Sequence, residues 1–165
     1  MFEHVGRAHY AEFFKHLDRL LAPDGIAVVH TIAKKGEPGP INPWMLRYIF
    51  PGSYLPALSE LAPKIERQGF WLTDLEVWRL HYAETLAAWN RRFQARRAEA
   101  AAIYDERFCR MWEFYLQVCE LGFRYQGLCV FQLQLTKDIA AAPLTRDYIY
   151  RDEQQNIPAA VSARR

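Results

Sequence analysis

The stretch Ala22-Pro23-Asp24-Gly25-Ile26-Ala27-Val28-Val29-His30-Thr31-Ile32 decides the fold class. Its first half is built of turn residues: proline removes a backbone donor and fixes φ, and glycine admits conformations closed to other residues, so a preceding helix stops here. Its second half is a short, largely apolar run, the pattern of a strand covered on both faces. Upstream, Tyr10, Phe13, Phe14, Leu17, Leu20 and Leu21 recur at three- and four-residue steps, which puts them on one face of a helix over residues 7–21. Helix, tight turn and buried strand are the grammar of a doubly wound α/β sheet, with residues 26–32 as a central strand among parallel neighbours.

Working outward, residues 36–56 carry prolines at 38, 40, 43, 51 and 56, too many for a regular element and suited to a long shaped loop around short helical turns. A helix is predicted over residues 55–67, ended by Gly69, and a second strand over residues 70–80. Two long helices follow: Tyr82, Leu86, Trp89 and Phe93 mark the face of one, and Phe108, Trp112, Tyr115 and Cys119 that of the other. Residues 130–135 alternate apolar and polar, the period of a half-exposed final strand. Residues 1–139 thus read as one domain, and residues 140–165 as a polar, irregular surface tail. A parallel sheet of so few strands would leave an unprotected edge, so further strands are expected upstream.

Composition narrows the function classes. Of 165 residues, 51% are apolar and 15% aromatic, enough for a substantial core, while a net charge of +2 lacks the basic excess that nucleic acid would require. Cys109, Cys119 and Cys129 have no C-x-x-C spacing, so reduced thiols in a cytoplasmic protein are expected, with neither a disulfide framework nor a cysteine-rich zinc site. No glycine falls into a G-x-G-x-x-G or P-loop pattern, and no two histidines share the helical i, i+4 spacing of a zinc pair, so no metal is expected. No run approaches the roughly 20 apolar residues of a membrane-spanning helix.

Individual candidates each carry two readings. His30 ends an apolar strand, where open α/β sheets place their ligands; it reads as a ligand-facing residue or as a hydrogen-bonded core histidine. Glu3, between Phe2 and Val5, reads as a functional carboxylate in apolar company or as a helix cap. Tyr82 and Cys119 read as site residues or simply as core. Arg91, Arg92, Arg96 and Arg97 read as a stripe for phospholipid head groups or as a solvated helix face.

Several segments bear jointly on this choice: Met1-Phe2-Glu3-His4-Val5-Gly6, His30-Thr31-Ile32, Tyr48-Ile49-Phe50-Pro51-Gly52, Leu55-Pro56, and His81-Tyr82-Ala83-Glu84-Thr85-Leu86 with Trp89. To these are added Tyr104-Asp105-Glu106-Arg107-Phe108, Met111-Trp112 and Tyr115-Leu116. Together, in this order and over about residues 1–136, they resemble the cyclopropane synthase and mycolic acid cyclopropane synthase family.

The resemblance implies the C-terminal part of a class I, Rossmann-like S-adenosylmethionine-dependent methyltransferase, with added long helices forming an acyl-chain pocket. It places the remaining strands and the glycine-rich cofactor loop upstream of this chain. It implies two cofactors, S-adenosylmethionine and a bicarbonate acting as base, the latter held by Glu3, His30, Tyr82 and the backbone of Ile32. Cys119 matches a position often described as an active-site cysteine. The implied partner is an unsaturated phospholipid met at the inner face of the cytoplasmic membrane, with an N-terminal half or a second copy completing the molecule. The rival implication is a fragment that binds lipid without catalysis, or a lipid methyltransferase that closes no ring.

Overall fold

The computed structural model describes residues 2–156. Two short 3-10 turns, Phe2–His4 and Arg7–His9, lead into α1 (Tyr10–Leu20) and β1 (Ile26–Lys34). Then come α2 (Pro43–Tyr48), α3 (Leu58–Gln68) and β2 (Trp71–Trp78). Three helices, α4 (His81–Ala95), α5 (Arg97–Ile103) and α6 (Glu106–Tyr125), precede β3 (Leu128–Thr136) and α7 (Asp147–Asn156).

Local chemistry sets the helix ends. Asn42 caps α2 by accepting the Trp44 N–H at 2.9 Å, with Pro43 in the first turn where its missing donor costs nothing. Asp105 caps α6 by accepting the Phe108 N–H at 2.6 Å. At the start of α3 the Glu60 carboxylate accepts the Ala57 N–H at 3.0 Å, and Gly69, at φ 83°, closes the helix in the left-handed region.

The strands lie in the order β1-β3-β2, with β3 antiparallel to both neighbours. This corrects the expectation of a parallel sheet centred on residues 26–32: β1 and β2 do run the same way, but β3 lies between them in the opposite sense. The reason is where the helices return. Trp78 at the end of β2 pairs with Val130 near the start of β3, so α4 leaves and α6 comes back at the same end of the sheet. A strand entering there can only run antiparallel to β2. Nor is β1 covered on both faces, since Val29, Thr31 and Ala33 are buried but Ile26, Val28 and His30 are exposed.

β3, read from sequence as half-exposed, is the central strand. Cys129, Phe131, Leu133 and Leu135 point into one core with Phe14 of α1 and Leu61 and Ile65 of α3. Val130 and Leu128 point the other way, into a second core with Leu86 of α4 and Tyr115, Leu116 and Phe123 of α6. Gln132 and Gln134, the polar positions of the alternation, face other side chains rather than open water: His30 and Glu76 for the first, Thr73 and Tyr148 for the second. Full burial of one large apolar side chain such as Phe14 is worth about 1.5–3 kcal/mol, so the two cores clamp the sheet from both sides.

Residues 140–156 are more ordered than the sequence pattern suggests. Tyr148 donates to Gln134 Oε1 at 2.7 Å and Arg146 pairs with Asp74 at 2.6 Å, which ties the start of α7 to the sheet. The rest of the expected tail, residues 157–165, lies outside the described residues.

Candidate active site

Glu3 reaches the sheet because Phe2 is buried beside it, stacked on Tyr10 at 4.7 Å, while the Glu3 carbonyl accepts the Tyr54 N–H at 2.8 Å. Its Oε1 accepts the Ile32 N–H at 2.5 Å and the Thr31 hydroxyl at 3.1 Å. Burial pushes the carboxyl up, but the backbone N–H groups of Glu3 itself and of Ile32 outweigh it and hold the group below the ordinary carboxylate range. Glu3 therefore carries charge at neutral pH.

His30 stands two residues before Ile32 on the same face of β1. Its Nδ1 lies 3.1 Å from Gln132 Oε1, and its ring meets the edge of Trp78 at 5.6 Å. Tyr82, in the first turn of α4, stacks on Phe123 of α6 with ring centroids 5.4 Å apart and 18° between planes. Cys119 sits one turn before Phe123 on α6; burial pushes its thiol up to about 11. Burial, with smaller contributions from Cys119 and Tyr82, pushes the neighbouring Tyr115 to about 12.

One cavity of about 670 Å³ collects these groups: Glu3, His30, Ile32, Tyr82 and Cys119 all line it, with Met45, Phe50, Leu86, Tyr115 and Phe123 as apolar and aromatic walls. It lies beside the end of β1 and the start of β3, where Ile32, Lys34 and Leu128 line it, at the end of β1 where α/β sheets receive ligands. The five residues that the resemblance assigns to the site are thus brought together. Thr31, Gln132 and Phe123, which support Glu3, His30 and Tyr82, are not legible in the sequence, because each acts across a long chain separation.

The donor set fits a small oxyanion with a hydroxyl. The Tyr82 hydroxyl can donate, the His30 ring can donate or accept, and Glu3 can accept. The Ile32 N–H, implied to lie near the anion, is already engaged by Glu3. At neutral pH the half-buried Cys119 is a neutral thiol, a wall residue rather than a nucleophile. The arginine stripe is half neutralised: Arg96 is paired with Glu99 at 2.6 Å and Arg97 with Glu106 at 2.6 Å. No helix among the described residues is long and apolar enough to cross a membrane.

The chain is similar to known proteins in sequence and fold. The cyclopropane-fatty-acyl-phospholipid synthase of Escherichia coli K12 is 37% identical over 139 residues, 84% of this chain and 36% of that protein. The structure of the cyclopropane synthase MmaA2 from Mycobacterium tuberculosis superposes with a TM-score of 0.74 at 29% identity, covering 81% of this chain and 52% of that one. That of the mycolic acid cyclopropane synthase CmaA1, complexed with SAH and CTAB, gives 0.73 at 28% identity over the same shares. The chain spans about a third of the E. coli relative and about half of each structure. Its fold is the C-terminal part of these S-adenosylmethionine-dependent methyltransferase structures. The sequence model described as mycolic acid cyclopropane synthetase matches residues 1–133, and the chain belongs to that family.

Proposed function

We propose that the cavity receives an unsaturated acyl chain of a phospholipid at the inner face of the cytoplasmic membrane, and that the protein takes part in converting its cis double bond to a cyclopropane. The observation that carries this reading is the convergence of Glu3, His30, Ile32, Tyr82 and Cys119 on one aromatic-walled cavity. S-adenosylmethionine supplies the methyl group and bicarbonate the base, the former bound by an N-terminal half of the molecule and the latter within this cavity. Residues 1–139 form this chain's share of the catalytic domain.

Each residue then has a definite task. The Tyr82 hydroxyl donates a hydrogen bond to the anion and His30 holds its other side. Glu3, fixed on Ile32 and Thr31, orients the anion's hydroxyl and keeps the end of β1 in place. The rings of Tyr82, Tyr115 and Phe123 exclude water and offer π-faces to the positive charge that develops on the alkene carbons. Cys119 contributes volume and apolar surface.

The test starts with calorimetric titration of S-adenosylmethionine into the chain. Incubation with the methyl-labelled compound and vesicles of dioleoyl phosphatidylglycerol follows, with the N-terminal half of a family member supplied if the chain alone does not bind. Labelled lipid heavier by one methylene, with the hydrogen count of a ring, is expected. Cofactor binding without labelled lipid would refute the reading and favour a lipid-binding role.

A further inference from the structure

We infer that Gln132 and Glu76 are positioning residues that set the tautomer of His30, holding the proton on Nδ1 and presenting Nε2 as the ring nitrogen available to the cavity. His30, Gln132 and Glu76 stand in one row across the sheet, because β1 pairs His30 with Gln132 and β2 pairs Glu76 with the same Gln132. Within that row His30 Nδ1 lies 3.1 Å from Gln132 Oε1, and Gln132 Nε2 lies 3.4 Å from Glu76 Oε2.

The direction of the row follows from what each group can do. An ionised carboxylate only accepts, so Gln132 turns its NH₂ toward Glu76. That leaves its carbonyl oxygen, another obligate acceptor, facing His30. The nitrogen opposite a carbonyl must carry the hydrogen, so Nδ1 is the protonated nitrogen of the neutral ring and Nε2 carries the lone pair. His30 lines the cavity whereas Gln132 and Glu76 do not, so the row holds the ring from outside the site.

For the function proposed above, on which this consequence rests, the assignment reverses a role. A free His30 ring could donate to the anion or accept from it, but a neutral ring held this way accepts at Nε2. It would therefore replace Glu3 as the acceptor of the hydrogen bond from the bicarbonate hydroxyl, leaving donation to Tyr82 and leaving Glu3 to hold the end of β1. Second partners of this kind fix the active tautomer of functional histidines elsewhere.

The test is two-bond proton–nitrogen NMR of the ¹⁵N-labelled chain at a pH where the His30 ring is neutral. The wild-type chain should show a protonated Nδ1 and an unprotonated Nε2. Gln132→Leu should move the population to the Nε2–H form that unconstrained histidine prefers, Glu76→Leu should give a mixture, and Gln132→Glu, which keeps an acceptor, should restore the Nδ1–H form. An Nε2–H ring in the wild-type chain, or one unchanged by Gln132→Leu, would overturn the assignment. Sodium bicarbonate added to the same sample separates the two readings. A moved Nε2 resonance supports the anion site, and an unmoved one in an Nδ1–H ring overturns bicarbonate binding while the positioning row stands.

Discussion

Glu3 Oε1 lies 2.5 Å from the amide nitrogen of Ile32, closing a gap of 29 residues in sequence. The contact joins the first turn of the described chain to the end of β1, and Thr31 reinforces it through its hydroxyl. Position and charge are thus coupled: the hydrogen bonds that place the carboxylate are also those that keep it ionised.

Replacing Glu3 by alanine should therefore cost about 1–3 kcal/mol, since the Ile32 N–H loses its acceptor in a half-buried setting. The pH dependence has a definite sign. A carboxylate whose folded pKa is lowered contributes its stability fully above the unfolded value, about 4.3, and loses it as pH falls through the lowered one. Urea midpoints of wild type and Glu3→Ala should differ most at pH 7 and converge toward pH 3.

Tyr10 presents the opposite case. It is 1% exposed, and its hydroxyl is buried with no hydrogen-bond partner among the described residues. Burial, then the nearby Glu60, Tyr54 and Glu3, push its ionisation far upward. Tyr10→Phe keeps the stack on Phe2 and removes an unsatisfied polar group, so it should be neutral or stabilising by about 1 kcal/mol in urea denaturation. A loss of more than about 1 kcal/mol would show that the hydroxyl has a partner after all.

Cys119 should behave as a half-buried, neutral thiol. With its pKa pushed to about 11, only about one molecule in 10⁴ carries a thiolate at pH 7. Iodoacetamide labelling followed by peptide mass spectrometry should show slow modification at pH 7 that accelerates steadily toward pH 10. Fast labelling at pH 7 would reinstate the thiol as a candidate nucleophile.

Phe123 carries the stack that orients Tyr82 and is itself 6% exposed. Phe123→Ala should cost about 3–5 kcal/mol, a loss of transfer energy plus a cavity, and Phe123→Leu markedly less. Tyr82→Phe, which preserves the stack, should leave the urea midpoint nearly unchanged, separating the packing role of the ring from the binding role of its hydroxyl.

The sequence made the helices legible, because Tyr82, Leu86 and Phe93, like Phe108, Trp112 and Tyr115, repeat at helical spacing. It also made the site legible as a set: the short segments around Glu3, His30 and Tyr82 resemble one family, and the cavity brings those residues together. Strand direction was not legible, since it depends on where α6 returns the chain rather than on any pattern within residues 130–135. The supporting shell was hidden for a related reason. Gln132 looks like a solvent-facing position of an alternating strand, and only the register opposite His30 and Glu76 gives it partners. The pairing within the arginine stripe was hidden in the same way, as Arg97 finds Glu106 only once α5 has turned back onto α6.

The most direct test of the anion site is a titration of the ¹⁵N-labelled chain with sodium bicarbonate, following the Ile32 amide, the His30 ring and the Tyr82 ring by NMR. The account predicts saturable shifts confined to these three reporters and their cavity neighbours, weakened at least several-fold by Tyr82→Phe. Shifts scattered over the surface, or identical titrations of wild type and Tyr82→Phe, would contradict it.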